Sequence, residues 1–349
     1  MAMTLATGPS GPDGYQQGVA PSNDSPSAPS TTSSLFTVLV ALVANGLLAV
    51  AKSVAAVVTG SAAMVAEAAH SWSDTGNEVF LLVAERRGNR PRDEAHPRGY
   101  GRATYIWSLV AAFGLFSAGA VVSVWHGVTA LFGEPGQASF TANYVVLGIA
   151  FVLEGTSFLQ ASRQVHGAAR RFRRSPVRYV SETSNPTLRA VVLEDFSALV
   201  GLLIAAVGIG LHQLTGRHEF DAVASILIGL LLAGVAIFLM RRNMDYLLGE
   251  AQGPEVRNQV LGLLLEHPDV DRVTYLHLEF VGPQRLFVVA AVDLTGDDPE
   301  PHLAVRLRTV ETDIERDDLI EDAVLTLAPP EDAALVPDSS RTIPETLDK

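Results

Sequence analysis

The 349-residue chain contains no cysteine. That excludes disulfides, thiolate nucleophiles and thiolate metal sites, and leaves His, Asp and Glu as the side chains able to ligate a metal ion. Positive charge is also scarce: 25 Lys and Arg against 38 Asp and Glu give a formal charge of −13, and a net acidic chain argues against nucleic acid as a partner. Residues 1–34 hold neither Lys nor Arg, so they lack the basic region of a secretory signal and the arginines of a transit peptide. Their Ser, Pro, Gly and Ala content predicts a disordered N-terminal tail. No P-loop or dinucleotide fingerprint occurs anywhere.

The apolar residues, 48% of the chain, gather instead of spreading. Between Leu35 and Met240 they form runs near 20 residues long, the length needed to cross a hydrocarbon core of about 30 Å as helix. A soluble globular enzyme is not expected, and the lipid bilayer is the first partner implied. Six spans are predicted, at about 35–58, 61–83, 105–131, 144–161, 190–211 and 220–240, inside a transmembrane domain of residues 35–242. The loop after the second span carries six arginines and the stretch after the fourth carries seven, whereas the other loops hold only Arg217. Basic residues near span ends stay on the cytoplasmic side, so both termini are expected in the cytoplasm. Arginine outnumbers lysine heavily, which together with the missing transit peptide points to a bacterial plasma membrane.

Beyond the last span the composition changes to that of a small cytosolic α+β domain, residues 243–330, followed by a disordered tail at 331–349. Val256, Val260, Leu263 and Leu264 repeat with helical spacing after Pro254. Strand-like runs at 273–280 and 286–294, a helix at about 301–314 and a strand at 323–327 complete an αββαβ order, which suggests a ferredoxin-like sheet with helices on one face.

Ionisable residues within lipid-spanning helices are costly, about 2.5–3.5 kcal/mol each on insertion scales, and those retained usually serve a function. The second span holds Glu67, His70 and Asp74. His70 and Asp74 stand four apart, on one helical face with Cβ atoms about 5–6 Å apart. An imidazole and a carboxylate so placed can converge on a divalent ion, and the mixed N/O set suits Zn²⁺, with Co²⁺, Fe²⁺ or Mn²⁺ as alternatives; the bland alternative is a hydrogen-bonded pair that fixes helix packing. The fifth span carries the adjacent carboxylates Glu194 and Asp195. Neighbouring helical residues point about 100° apart, so Asp195 is assigned as ligand and Glu194 to a supporting or proton-carrying role, unless one of them merely pairs with Arg189. Glu154 is a further lone acid in the fourth span, open to a relay role or a structural hydrogen bond.

The stretch Glu67-Ala-Ala-His-Ser-Trp-Ser-Asp-Thr-Gly-Asn77, with His70 and Asp74 as its HxxxD, resembles the second-helix motif of the cation diffusion facilitator transporters. The loop His96-Pro-Arg-Gly-Tyr-Gly-Arg102 and the segment from Tyr179 to Gly201 resemble the branch that includes zinc transporter nine. The resemblance covers residues 35–330. It implies a homodimer that exports divalent cations from the cytosol in exchange for protons, with no permanently bound cofactor. Its tetrahedral site takes two residues from each of the second and fifth helices, so His70, Asp74 and Asp195 match three ligands. Where many members have the fourth, this chain has Val191. Glu194, a water or another helix would then complete the coordination, and a degenerate, non-transporting membrane protein that senses metal or binds a partner is the alternative reading. Asp93 and His96 fit an accessory loop metal site whose next histidine position is occupied by Tyr100. On the soluble domain His277 is expected to be solvated, which makes that domain a dimerisation module more than a metal-filled sensor.

Overall fold

The computed structural model describes residues 31–133, 140–171, 175–249 and 253–338. The described residues from Leu42 onward form one unit, which carries the membrane helices and the soluble domain. Of the expected tail at 1–34, residues 1–30 lie outside the described residues and residues 31–34 fall instead in the helix that begins at Thr31; the turn residues 134–136 and residues 339–349 of the expected tail at 331–349 also lie outside the described residues.

The membrane part is built from α1 (Thr31–Thr59), α2 (Ala62–Gly88), α3 (Ala103–Ala111), a π-helical turn (Ala112–Phe116), α4 (Ser117–Leu131), α5 (Phe140–Arg171), a short α6 (Pro176–Glu182), α7 (Pro186–Thr215) and α8 (Glu219–Leu248). Among the described residues five helices are long and apolar enough to cross a membrane: 42–59 of α1, the continuous run 103–131, α5, α7 and α8. The second of the six expected spans is α2. It has the length, 27 residues or about 40 Å of helix, but its polar residues keep it below the apolarity of the others. The physical reason is its position. α2 packs against α3, α4, α7 and α8 and buries Glu67, His70, Ser71, Ser73, Asp74 and Asn77 inside the protein, so it need not present a fully apolar surface to lipid. α5 and α8 extend past the expected span ends, to Arg171 and Leu248.

Small residues set the close helix approaches. Gly119, Ser123 and Gly127 recur every fourth residue on α4, and a Cβ at Gly127 would stand 2.8 Å from the Ala222 carbonyl of α8. Ser225 Oγ of α8 donates to the Ser123 carbonyl at 2.8 Å. This small-residue packing is how helices associate where lipid removes the hydrophobic drive between them. Ser73 Oγ of α2 lies within hydrogen-bond reach of the Ala69 carbonyl of its own helix at 2.9 Å and of the Leu115 carbonyl of the π turn at 3.0 Å. At the start of α2, Ser61 Oγ donates to Asp221 of α8 at 2.8 Å and the Ala62 amide donates to the same carboxylate at 2.6 Å, so one helix supplies the anionic cap of another.

The αββαβ unit forms as expected, from α9 (Pro254–Leu265), β1 (Val270–Gly282), β2 (Arg285–Leu294), α10 (Glu300–Ile314) and β3 (Ile320–Leu327). The sheet order is β1-β2-β3, with β1 and β2 antiparallel and β2 and β3 parallel. On β2 the buried positions alternate strictly, Leu286, Val288, Ala290, Val292 and Leu294, the period of a strand covered on one face. They share a core with Leu261 and Leu264 of α9 and Val310 and Ile314 of α10. Residues 331–338, expected within the C-terminal tail, lie along β1 instead: the Leu335 amide donates to the Val273 carbonyl at 2.7 Å and Arg272 donates to the Asp332 carbonyl at 2.7 Å.

This domain meets the loops at one end of the helices. A Cβ at Gly101 would collide with the Val281 carbonyl oxygen and stand 2.8 Å from Gly282 Cα, so two backbones touch where side chains are absent. Arg98 and Arg102 both pair with Glu279, and Arg92 pairs with Glu321 and Asp322. The Gln284 amide donates to Ser184 Oγ at 3.1 Å. Tyr105 and Tyr246 stack at 5.2 Å between the two parts, with Phe280 edge-on to Tyr246.

Candidate cation site

Four residues on α2 spaced 3, 4 and 3 apart, Glu67, His70, Asp74 and Asn77, form one stripe at helical period. All four are buried although they lie among apolar helices. On α7 the facing stripe is Glu194, Ser197 and Gly201. The two helices meet residue by residue. Asn77 donates to Glu194, Ser197 Oγ lies 3.4 Å from His70 Nε2, and a Cβ at Gly201 would stand 2.5 Å from Glu67 Oε1 and 3.6 Å from His70 Nδ1. His70 Nε2 also lies 3.5 Å from Asp74 Oδ2, so the HxxxD pair is brought together on a shared face. Val191, one turn before Glu194, belongs with Leu81 and Phe116 to an apolar cluster, and there the polar stripe stops.

Asp195 leaves this face. The 100° step per residue turns it toward α5, where Ser157 Oγ donates to it at 2.8 Å. Glu194, first assigned the supporting role, is thus the α7 carboxylate that faces α2. It does not pair with Arg189, which donates to the Thr183 carbonyl and sits over the Tyr246 ring at 5.2 Å. Among the described residues no three His, Asp or Glu side chains are gathered closely enough to hold an ion in this conformation.

Several polar members were not singled out from the sequence. Lys52 of α1 is buried and donates to Glu67 Oε2 at 2.9 Å, with Glu154 of α5 at 3.9 Å. Asn45 of α1 donates to Glu78 Oε1 at 2.6 Å. The legible signal was Lys52 itself, one of only two lysines in the chain and the sole charge in its 18-residue apolar window. A charge so placed carries the same cost as the acids of α2.

The loop pair is assembled away from this stripe. Asp93 and His96 bridge backbone to backbone, His96 Nδ1 lies 3.2 Å from Asp93 Oδ1, and Tyr100 donates to Asp93 Oδ2 at 2.6 Å. The Tyr100 hydroxyl holds the Asp93 carboxyl below the usual carboxylate range, and the same bond pushes the phenol up. Tyr100 thus meets the pair as a hydrogen-bond donor. His277 on β1 is exposed.

A chain of membrane-crossing helices with a buried, facing acid and imidazole stripe defines a class, the polytopic cation transporters. Residues 38–248 match the cation efflux transmembrane domain, and the chain belongs to the cation diffusion facilitator family. It is an integral membrane protein of a transporter family, not an enzyme. The proton-coupled zinc antiporter SLC30A9, mitochondrial, of Homo sapiens is 34% identical over 259 residues, covering 74% of this chain and 46% of that protein. Metal tolerance protein C4 of Arabidopsis thaliana is 32% identical over 238 residues, 68% of this chain and 52% of that protein. Magnetosome protein MamM of Paramagnetospirillum magneticum is 28% identical over 267 residues, 75% of this chain and 76% of that protein. The chain spans about half the length of the first two relatives.

Proposed function

We propose that this protein moves a divalent cation, Zn²⁺ foremost, across a membrane in exchange for protons, through His70, Asp74, Glu194 and Asp195. The observation that supports this reading is the facing of the two stripes: an imidazole and two carboxylates buried between α2 and α7, inside a bundle whose other long helices are apolar. α2 serves as the sixth span, shielded from lipid by its neighbours, and the basic loops place both termini in the cytoplasm. Glu194 takes the position that Val191 leaves empty, and Asp195 joins when α5 releases it from Ser157.

Proton coupling follows from the donor set. Imidazole has an unperturbed pKa of about 6.5, and only its neutral form binds metal, so proton and cation compete for His70. Rocking of the helix pair around a midplane site would expose it to each side in turn. Protons from the more acidic side displace the metal outward, and cytosolic metal displaces protons inward. The homodimer implied by the family resemblance belongs to the same proposal, as do the weaker positions Asp93, His96 and Glu154.

The test is reconstitution into liposomes with an acidic lumen. Uptake of Zn²⁺, Mn²⁺, Co²⁺ and Fe²⁺ is followed together with lumenal pH, with Asp74→Ala as control. Cation entry coupled to proton exit and lost in the variant is the expected result. Absence of flux for every ion overturns it and favours the non-transporting reading, with Val191 as the cause.

A further inference from the structure

The structure holds a second polar point on the same stripe that the proposed site does not use. Glu67 lies one helical turn beyond His70, about 10 Å along the axis from Asp74 at 1.5 Å per residue, toward the α1–α2 turn. Glu67 is fully buried, and Lys52 occupies only one of its oxygens. Among the described residues Glu67 Oε1 and His70 Nδ1 are both buried without a hydrogen-bond partner. Both crowd the spot that a Cβ at residue 201 would take, at 2.5 and 3.6 Å, so the missing side chain of Gly201 is what lets the two atoms converge against α7. Orphaned polar atoms of this kind destabilise the fold that buries them, so a partner that visits them accounts for their retention.

We infer that Glu67 Oε1 and His70 Nδ1, over Gly201, form a second subsite for the transported divalent cation, with the Lys52 ammonium as its tethered resident cation. This rests on the transport reading and extends it. The imidazole then has two working faces: Nε2 toward Asp74 and Ser197, Nδ1 toward Glu67. A cation loaded at Asp74 and Glu194 passes to Glu67 across one ring as the ring proton moves the opposite way, leaving Nδ1 free to ligate and placing the N–H at Nε2, where Asp74 Oδ2 stands 3.5 Å away to accept it. As it arrives, Lys52 shifts its ion pair to Glu154, already 3.9 Å away, so the buried charge stays balanced through the handover. With both termini cytoplasmic, the Glu67 subsite lies on the exit side of His70.

The experiment uses the full-length protein, with Zn²⁺ flux in proteoliposomes and the absorption spectrum of bound Co²⁺ as separate readouts. Glu67→Gln is expected to slow flux about ten- to a hundredfold, the range for loss of a group that supports a metal site, while keeping the Co²⁺ binding that Asp74→Ala abolishes. The double variant Lys52→Gln/Glu67→Gln removes both charges of the buried pair, and it is expected to remain as slow as Glu67→Gln. Recovery of the wild-type rate in the double variant overturns the inference, because Glu67 would then serve only to neutralise Lys52. Gly201→Ala keeps every charge, places a methyl at the subsite and favours helix, so it carries the test where Glu67→Gln does not insert. It is expected to slow flux where Gly234→Ala, with open space around it, does not. Equal rates for the two alanine variants also overturn the subsite. A wild-type protein that moves no cation overturns the transport reading itself, an outcome distinct from either.

Discussion

The contact between Gly101 and the β1–β2 turn sets how firmly the soluble domain is held to the helix loops, and its strength follows from geometry. In Gly101→Ala the new methyl would overlap the Val281 carbonyl oxygen and lie 2.8 Å from Gly282 Cα. Both neighbours are backbone and neither can swing aside, so the two segments must part by about 1 Å, an overpacking that costs about 1–3 kcal/mol. The Gln284–Ser184 bond at 3.1 Å lies on the same seam and would be stretched past its limit, adding about 1 kcal/mol. The exposed pairs of Arg98 and Arg92 add little, about 0–1 kcal/mol each, because water screens them. A weakening of about 2–4 kcal/mol lowers the docked fraction relative to the undocked about 30- to 1000-fold. The cysteine-free chain allows spin labels at two introduced cysteines only, at the exposed positions Glu94 and His277. Double electron–electron resonance should show one narrow distance in the parent protein and a broad distribution in Gly101→Ala. Gly262→Ala, with nothing near its Cβ, should keep the narrow distance and gain up to about 1 kcal/mol of helix stability. Identical distributions in the two variants would refute the reasoning.

Three further outcomes are expected. Glu194→Gln should weaken Co²⁺ binding more than Asp195→Asn in calorimetry, since Glu194 shares the face of His70 while Asp195 is held by Ser157; the reverse order would refute the face assignment. Asp221→Asn should lower the thermal midpoint by the loss of a charged cap on α2, about 1–2 kcal/mol, in an unfolding scan, and an unchanged midpoint would refute the cap's role. Tyr100→Phe should raise the Asp93 pKa back toward the ordinary carboxylate range, because it removes the hydrogen bond that chiefly lowers it. A depressed carboxylate contributes order above its unfolded pKa and loses it as pH falls through the folded value, so the loop should become sensitive at a higher pH in the variant. NMR titration of the Asp93 carboxyl reads this directly, and an unshifted titration would refute it.

The helices, the αββαβ order and the pairing of His70 with Asp74 were legible in the sequence, because each depends on spacing along one element. Apolar run length gives a span, alternation gives β2, and a separation of four puts two side chains on one face. The choice between Glu194 and Asp195 was not legible. Adjacent residues on a helix differ by 100°, and which of them faces the partner depends on how α7 is rotated against α2, a rotation set by Gly201 and Ser197 meeting Glu67 and His70. The ion pair of Lys52 with Glu67 was equally out of reach, since it joins two helices whose contact no local rule encodes. α2 shows the boundary between the two kinds of knowledge. Composition made it an expensive candidate for a span, and only the packing of four neighbouring helices around it explains how its polar stripe is buried inside the protein. The chain's own periodicities thus determined which residues are polar, apolar and facing within an element; tertiary structure decided which elements face each other, because that depends on side-chain volumes and glycine gaps summed over residues far apart in sequence.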